Sequence, residues 1–148
     1  MANIDINMIE QFFRVAQKFH EKEMSLADCL LTLERQGVDT KSASGYIYVY
    51  SNLVSGKLFT RTINAMATEY FLTEIFKTKG LNVLNNALLS LSLHIDYYEN
   101  IYKDPALDSK LLSRYKKLID DEKTMLAAYK ASLAYRQVYA SVLNTSTE

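Results

Sequence analysis

Apolar residues recur at steps of three and four along most of this chain, and that spacing predicts helices nearly from end to end. Ile9, Phe12, Phe13, Ala16 and Phe19 mark one face of a first helix from about Ile6 to Lys22, with Asn7 and Glu10 spaced as a capping box. Ser25 is a good N-cap for a second helix, with Asp28 in its first turn. Leu26, Leu30 and Leu33 form its apolar face and Gly37 fits its C-terminal stop. Asp39 or Thr40 then caps a third helix.

The stretch GYIYVYSNLVSG, residues 45–56, supports two readings. As a strand, Tyr46, Tyr48 and Tyr50 share one face, Ile47 and Val49 the other, and Ser55–Gly56 turns the chain. As a helix, Ala43, Ile47, Tyr50 and Val54 form a stripe flanked by Tyr46, Val49 and Leu53, and Gly56 is the cap. The helix is preferred, because the stripe runs through Leu53 and Val54 and a lone hairpin is marginal. Tyr46 and Tyr50 then pack while Tyr48 faces outward.

Downstream, Thr62 or Asn64 caps a fourth helix with a core face of Ile63, Met66, Ala67, Tyr70, Phe71 and Ile75, ending at Gly80. Leu81, Leu84, Leu88, Leu91, Ile95, Tyr98 and Tyr102 form a seven-residue seam on a fifth, with Val83, Ala87 and Leu89 widening it. KDPALD restarts the chain, with Asp104 as N-cap and Pro105 at the first helical position. Residues 105–143 read as one long helix or as two divided at Asp120–Glu122, and residues 143–148 as a frayed tail. The expected fold is an all-α, single-domain bundle of five to seven helices spanning residues 1–148. Its central and most buried helix lies near residues 81–103.

Composition agrees with this pattern. One proline and four glycines among 148 residues are too few for a turn-rich β domain. The single cysteine, Cys29, excludes an internal disulfide and a cysteine-cluster metal site, and its leucine neighbours make it a small buried hydrophobe. No apolar run approaches the length of a membrane span and no signal peptide is evident, so a cytoplasmic location is expected. The net charge is zero but unevenly placed. Residues 1–40 carry four basic and seven acidic side chains; residues 41–80 carry Lys41, Lys57, Arg61, Lys77 and Lys79 against Glu69 and Glu74. Neutrality argues against a protein that coats nucleic acid, while the basic middle third leaves a local patch open.

Several constellations bear on chemistry. The layout from Ser25 to Gly56 matches a helix-turn-helix with Lys41, Ser42, Ser44, Tyr48 and Asn52 as readers, although short helix connections are common in any bundle. Lys57 and Arg61 flank a helix start suited to an anion; alternatively Arg61 pairs with an acid of a neighbouring helix. In HIDYYEN, His94 and Tyr98 share a face, which suggests a metal site or acid–base pair less readily than a hydrogen-bonded histidine at the core edge. Tyr129, Tyr135 and Tyr139 with Lys130 and Arg136 place aromatics and cations on the last helix, for a partner or for core packing. No serine or cysteine arrangement supports nucleophilic catalysis.

Two patches, YSNLVSGKLFTRTINAMATEYFLTEI and LNNALLSLSLHIDYYE, resemble the small helical module that precedes the nuclease domain in some bacterial HNH-type, restriction-like proteins. The matching positions are Gly56, Phe59, Arg61, Tyr70, Phe71, His94, Ile95, Tyr97 and Tyr98. The His-Asn-His metal motif of those nucleases is missing, so no nuclease activity carries over. The resemblance implies a helical accessory module from a defence or mobile-element setting.

The functional expectation is therefore a non-catalytic module, with no cofactor and no metal. It binds nucleic acid, or a nucleic-acid-processing protein, through Lys41, Tyr48, Lys57, Arg61, Lys77 and Lys79. The alternative is a protein–protein module, an inhibitor, adaptor or homo-oligomer, that works through Tyr129, Tyr135, Arg136 and Tyr139. Neither a membrane nor a small-molecule substrate is expected as partner.

Overall fold

The computed structural model describes residues 4–103, 106 and 108–146, with side chains to Val142. It is all-helical: α1 (Ile6–His20), α2 (Leu26–Arg35), α3 (Ala43–Ser55), α4 (Ala65–Lys79), α5 (Leu81–Tyr102) and α6 (Ser109–Ser146). Capping chemistry sets most of the boundaries. Ser25 and Asn64 accept from the backbone N–H of Asp28 and Ala67, as the sequence predicts, and Gly56 closes α3 in the left-handed conformation at φ 69°. At α1 the cap is Asp5 rather than Asn7: it directly precedes Ile6, and its carboxylate accepts from the N–H of Met8. Ser42, not Asp39 or Thr40, stands at the N-cap of α3 and makes no side-chain cap bond there. Asp39 instead accepts from the N–H of Lys41 in the preceding turn.

The core begins as an aromatic cluster between α1, α3 and α4. Phe13 stacks on Tyr50 at 5.1 Å, Phe12 lies 4.8 Å from Tyr46, and Phe71 meets Phe13 edge-on at 5.3 Å. Burying such rings is the largest apolar contribution available to a chain without tryptophan. The helical reading of residues 45–56 holds: Tyr46 and Tyr50 are buried and Tyr48 is exposed.

Three expectations about packing change. Met66 and Leu89 are exposed, because the inward faces of their helices are set by Ala67, Phe71 and Ile75 and by Leu84, Leu88 and Leu91. α5 is central, packing on α3, α4 and α6, but α3 is the more buried helix. Eight of the 13 residues of α3 are buried, against eight of 22 in α5. The unburied residues of α3 are Ser44, Tyr48, Ser51, Asn52 and Ser55, and of these Tyr48 and Ser55 are exposed. Finally, α6 is one continuous helix through Asp120–Glu122, and it includes residues 143–146. The expected cap at Asp104–Pro105 lies outside the described residues; the described start of α6 has Asp108 accepting from the N–H of Lys110 at 2.6 Å. The end of the expected frayed tail, 147–148, also lies outside them.

Length explains the shape of the C-terminal half. At about 1.5 Å per residue, the 38 residues of α6 reach about 57 Å, whereas the 22 of α5 reach about 33 Å. α6 therefore outruns the helices it packs on, and from Ala134 to Val142 every residue is exposed.

Candidate functional site

Two features of this fold concentrate its chemistry: a polar seam along α5, and the two-sided α6.

The seam consists of Asn86, Ser90, His94 and Tyr98, each four residues after the last, so all four lie on one helical face. They hydrogen-bond successive backbone carbonyls of the chain leaving α3. Asn86 donates to Val54 at 3.2 Å, Ser90 to Lys57 at 2.6 Å, His94 to Phe59 at 2.7 Å and Tyr98 to Thr60 at 2.8 Å. Thr62 in turn donates to the Tyr98 hydroxyl. The extended connection between α3 and α4 is thus strapped along α5, and carbonyls with no helix or sheet to join find donors. Phe59 lies flat on the His94 ring at 3.9 Å, closing the strap over it.

His94 is fully buried rather than at the core edge. Its Nδ1 carries a proton, because a carbonyl only accepts. Its Nε2 lies 3.3 Å from Oε1 of Glu122 on α6, itself buried. The pair is close but poorly aligned, and neither His94 Nε2 nor Glu122 Oε2 completes a hydrogen bond among the described residues. The two side chains meet where α6 packs on α5, and both are sealed from solvent. Sequence reasoning took Glu122 for part of a capping run. The signal for the seam was visible as polar residues at every fourth position of an otherwise apolar helix.

The inner face of α6 carries Ile119, Glu122, Met125, Leu126, Tyr129 and Leu133, all buried or half-buried against the bundle. Tyr129 donates to the Glu69 carbonyl at 3.0 Å and accepts from Thr73, so burial pushes its hydroxyl pKa up while Thr73 opposes the rise. Arg136 lies 4.1 Å over the Phe76 ring. Tyr129 and Arg136, expected to meet a partner, thus fasten α6 to α4. The outer face differs. Thr124, Ala128, Ala131, Tyr135 and Val138 follow one another at steps of four and three, all exposed and all uncharged. Tyr135 is 70% exposed, Val138 64% and Tyr139 55%, and Val142, at 58%, extends the line. Tyr135 and Tyr139 stack at 6.3 Å.

The six middle-segment candidates are not gathered into one patch. Lys77 pairs with Glu74 at 3.3 Å and Lys79 with Glu21 at 2.7 Å, which lowers the Glu21 pKa and raises that of Lys79. Arg61 is exposed and lies against Gly45 near the start of α3, where Lys41 also sits. Lys57 follows the other end of α3, about 20 Å along the axis at 1.5 Å per residue. Tyr48 is exposed with its ring edge-on to Phe19 at 5.6 Å. Separately, Arg114 and Lys117 line a groove of about 500 Å³ between α6 and Thr62, with Asp121 on its wall. Among the described residues no three His, Cys, Asp or Glu side chains gather as a metal site, and no helix is long and apolar enough to cross a membrane.

Comparison with protein-family models, with curated proteins and with solved structures finds no match to this chain.

Proposed function

We propose that the chain is a non-catalytic protein–protein interaction module whose working surface is the outer face of α6. The observation that carries this reading is the uncharged line through Ala128, Ala131, Tyr135 and Val138, with Tyr139 beside it, on a helix that already buries its opposite face. A solvent-facing helical surface ordinarily carries charge. Between Lys123 and Ser146 the only charged residues are Lys130 and Arg136, and Arg136 is turned to Phe76. Tyrosine and valine on a rigid helix supply contact area at small entropic cost.

The test is an apolar fluorescent dye, titrated at about 1 µM protein so that weak complexes stay dissociated. Wild type should bind the dye, and the Tyr135→Lys, Val138→Lys double variant should lose most of that binding while keeping its helicity and Tm. Equal dye binding by both would sink the reading.

A nucleic-acid role has one specific support. Arg114 and Lys117 face the groove beside Thr62, Arg61 follows in the strap, and none of the three cations is ion-paired among the described residues. The resemblance to accessory modules of HNH-type proteins points the same way. Binding of DNA or RNA at low salt that falls on replacing Arg114 and Lys117 with glutamine would favour it; no mobility shift at any tested salt would remove it.

A further inference from the structure

We propose that the outer face of α6 pairs with the same face of a second copy, antiparallel, about a two-fold axis at Tyr135. The inference rests on the reading of that face as an interaction surface and names its occupant.

The argument is self-complementarity. Along the face two small side chains, Ala128 and Ala131, precede the larger Tyr135, Val138 and Val142. An antiparallel two-fold through Tyr135 sets Ala131 opposite Tyr139 of the mate, Ser132 opposite Val138 and Ala128 opposite Val142, so these small residues receive large ones. A parallel pair would set alanine against alanine and valine against valine, opening gaps at one end. The flanking positions Ala127, Ser132 and Ala134 are also small, which lets the two backbones approach closely. Charge agrees. Under the antiparallel operator Lys130 falls opposite Ala140, and Arg136 opposite Ala134, so no cation meets a cation. The helix dipoles also oppose head to tail.

Size fixes the strength. Residues 124–142 span about 27 Å, a single helix face, which lies at the low end of specific interfaces. Such a small interface supports a reversible dimer rather than an obligate one.

Sedimentation over a concentration series should carry the weight-average mass from 17.0 kDa toward twice that value, and Tyr135→Lys should hold it at one chain. Cysteine placement reads the register, because the chain's one native thiol, Cys29, is fully buried and leaves wild type as a blank. Under mild oxidation Tyr135→Cys should form a disulfide dimer at least tenfold faster than Lys130→Cys, which sits off the axis. A mixture of Ala131→Cys and Tyr139→Cys chains should cross-link to each other in preference to themselves. A chain that stays monomeric at several hundred micromolar, a dimer indifferent to Tyr135→Lys, or self-linking in excess of cross-linking would each overturn the proposal. Loss of self-association with dye binding intact removes the second copy but leaves the interaction surface; loss of both removes the reading as well.

Discussion

His94 donates its Nδ1–H to the Phe59 carbonyl, which leaves Nε2 as the ring atom that meets Glu122. The carboxyl group of Glu122 is the polar partner 3.3 Å from it in a sealed site. Removing either member strands the other inside the core. Glu122→Ala should therefore cost about 3 kcal/mol, within the range found when one partner of a buried pair is deleted. Glu122→Gln should cost less, because its amide can donate to Nε2. Urea denaturation of the three proteins checks the order; equal stability of Glu122→Ala and wild type would contradict it. The exposed pairs Lys79–Glu21 and Lys77–Glu74 belong to another class, screened by water and worth little.

At the scale of elements, the strap and α6 divide the work. Ser90 and His94 each hold one carbonyl of the strap and Asn86 one in the last turn of α3, but in different settings. Water can replace a lost donor where the site is open and cannot where it is sealed. Alanine substitutions should thus rank His94 first, Ser90 second and Asn86 last, with Ser90→Ala costing about 1 kcal/mol and His94→Ala adding the loss of the ring that Phe59 covers. Denaturant midpoints at constant slope give the ranking. α6 makes the opposite prediction. Ending the chain after Arg136 removes residues 137–142, all exposed, together with the helix end beyond them, so the Tm should fall by no more than about 2–4 °C, equivalent to about 1 kcal/mol. Calorimetry decides; a collapse of the transition would mean that the arm supports the bundle.

These same elements show what the sequence made legible. Helix identity followed from periodicity, even at Ala43–Val54, because seven apolar residues had to share one buried surface. Caps were legible where a short polar side chain stood alone before a helix, as at Ser25 and Asn64, and less so at Asp5, where Asn7 offered a rival two residues on. Tertiary pairing was not legible. Nothing local in DDE tells Glu122 apart from Asp120 and Asp121; only the phase of α6 against α5 turns Glu122 inward. The same phase sends Tyr129 to Glu69 and Arg136 to Phe76 and leaves Tyr135 and Tyr139 outside, a division that tyrosine content alone could not make.

At the scale of the whole molecule, the core is unusually rich in ionisable aromatics. Burial raises the pKa of Tyr46, Tyr50, Tyr70, Tyr98 and Tyr129 above the ordinary value of 10.0. A raised pKa means that the folded state holds its phenolic protons where the unfolded chain releases them. The stability these groups contribute is complete below about pH 10, and it declines as pH rises through their folded values. Tm measured across pH 8–12 should be flat at first and then drop steeply from about pH 10, and phenolate absorbance should rise together with the loss of helicity. Phenolate formation by all eleven tyrosines ahead of unfolding would contradict the assignment.

Cys29 sits where α1 meets α2, its thiol donating to the Val15 carbonyl at 3.4 Å. Burial pushes its pKa up, and Asp28 pushes it the same way, so the sulfur is hidden and holds its proton. A reagent that alkylates thiolates can therefore reach it only when these two helices part. Labelling rate against reagent concentration becomes a stopwatch for that opening: proportional when closing is faster than reaction, and levelling at the opening rate when it is slower. With one thiol in the chain, every labelled molecule reports the same event, and the protein records its own excursions without an added probe.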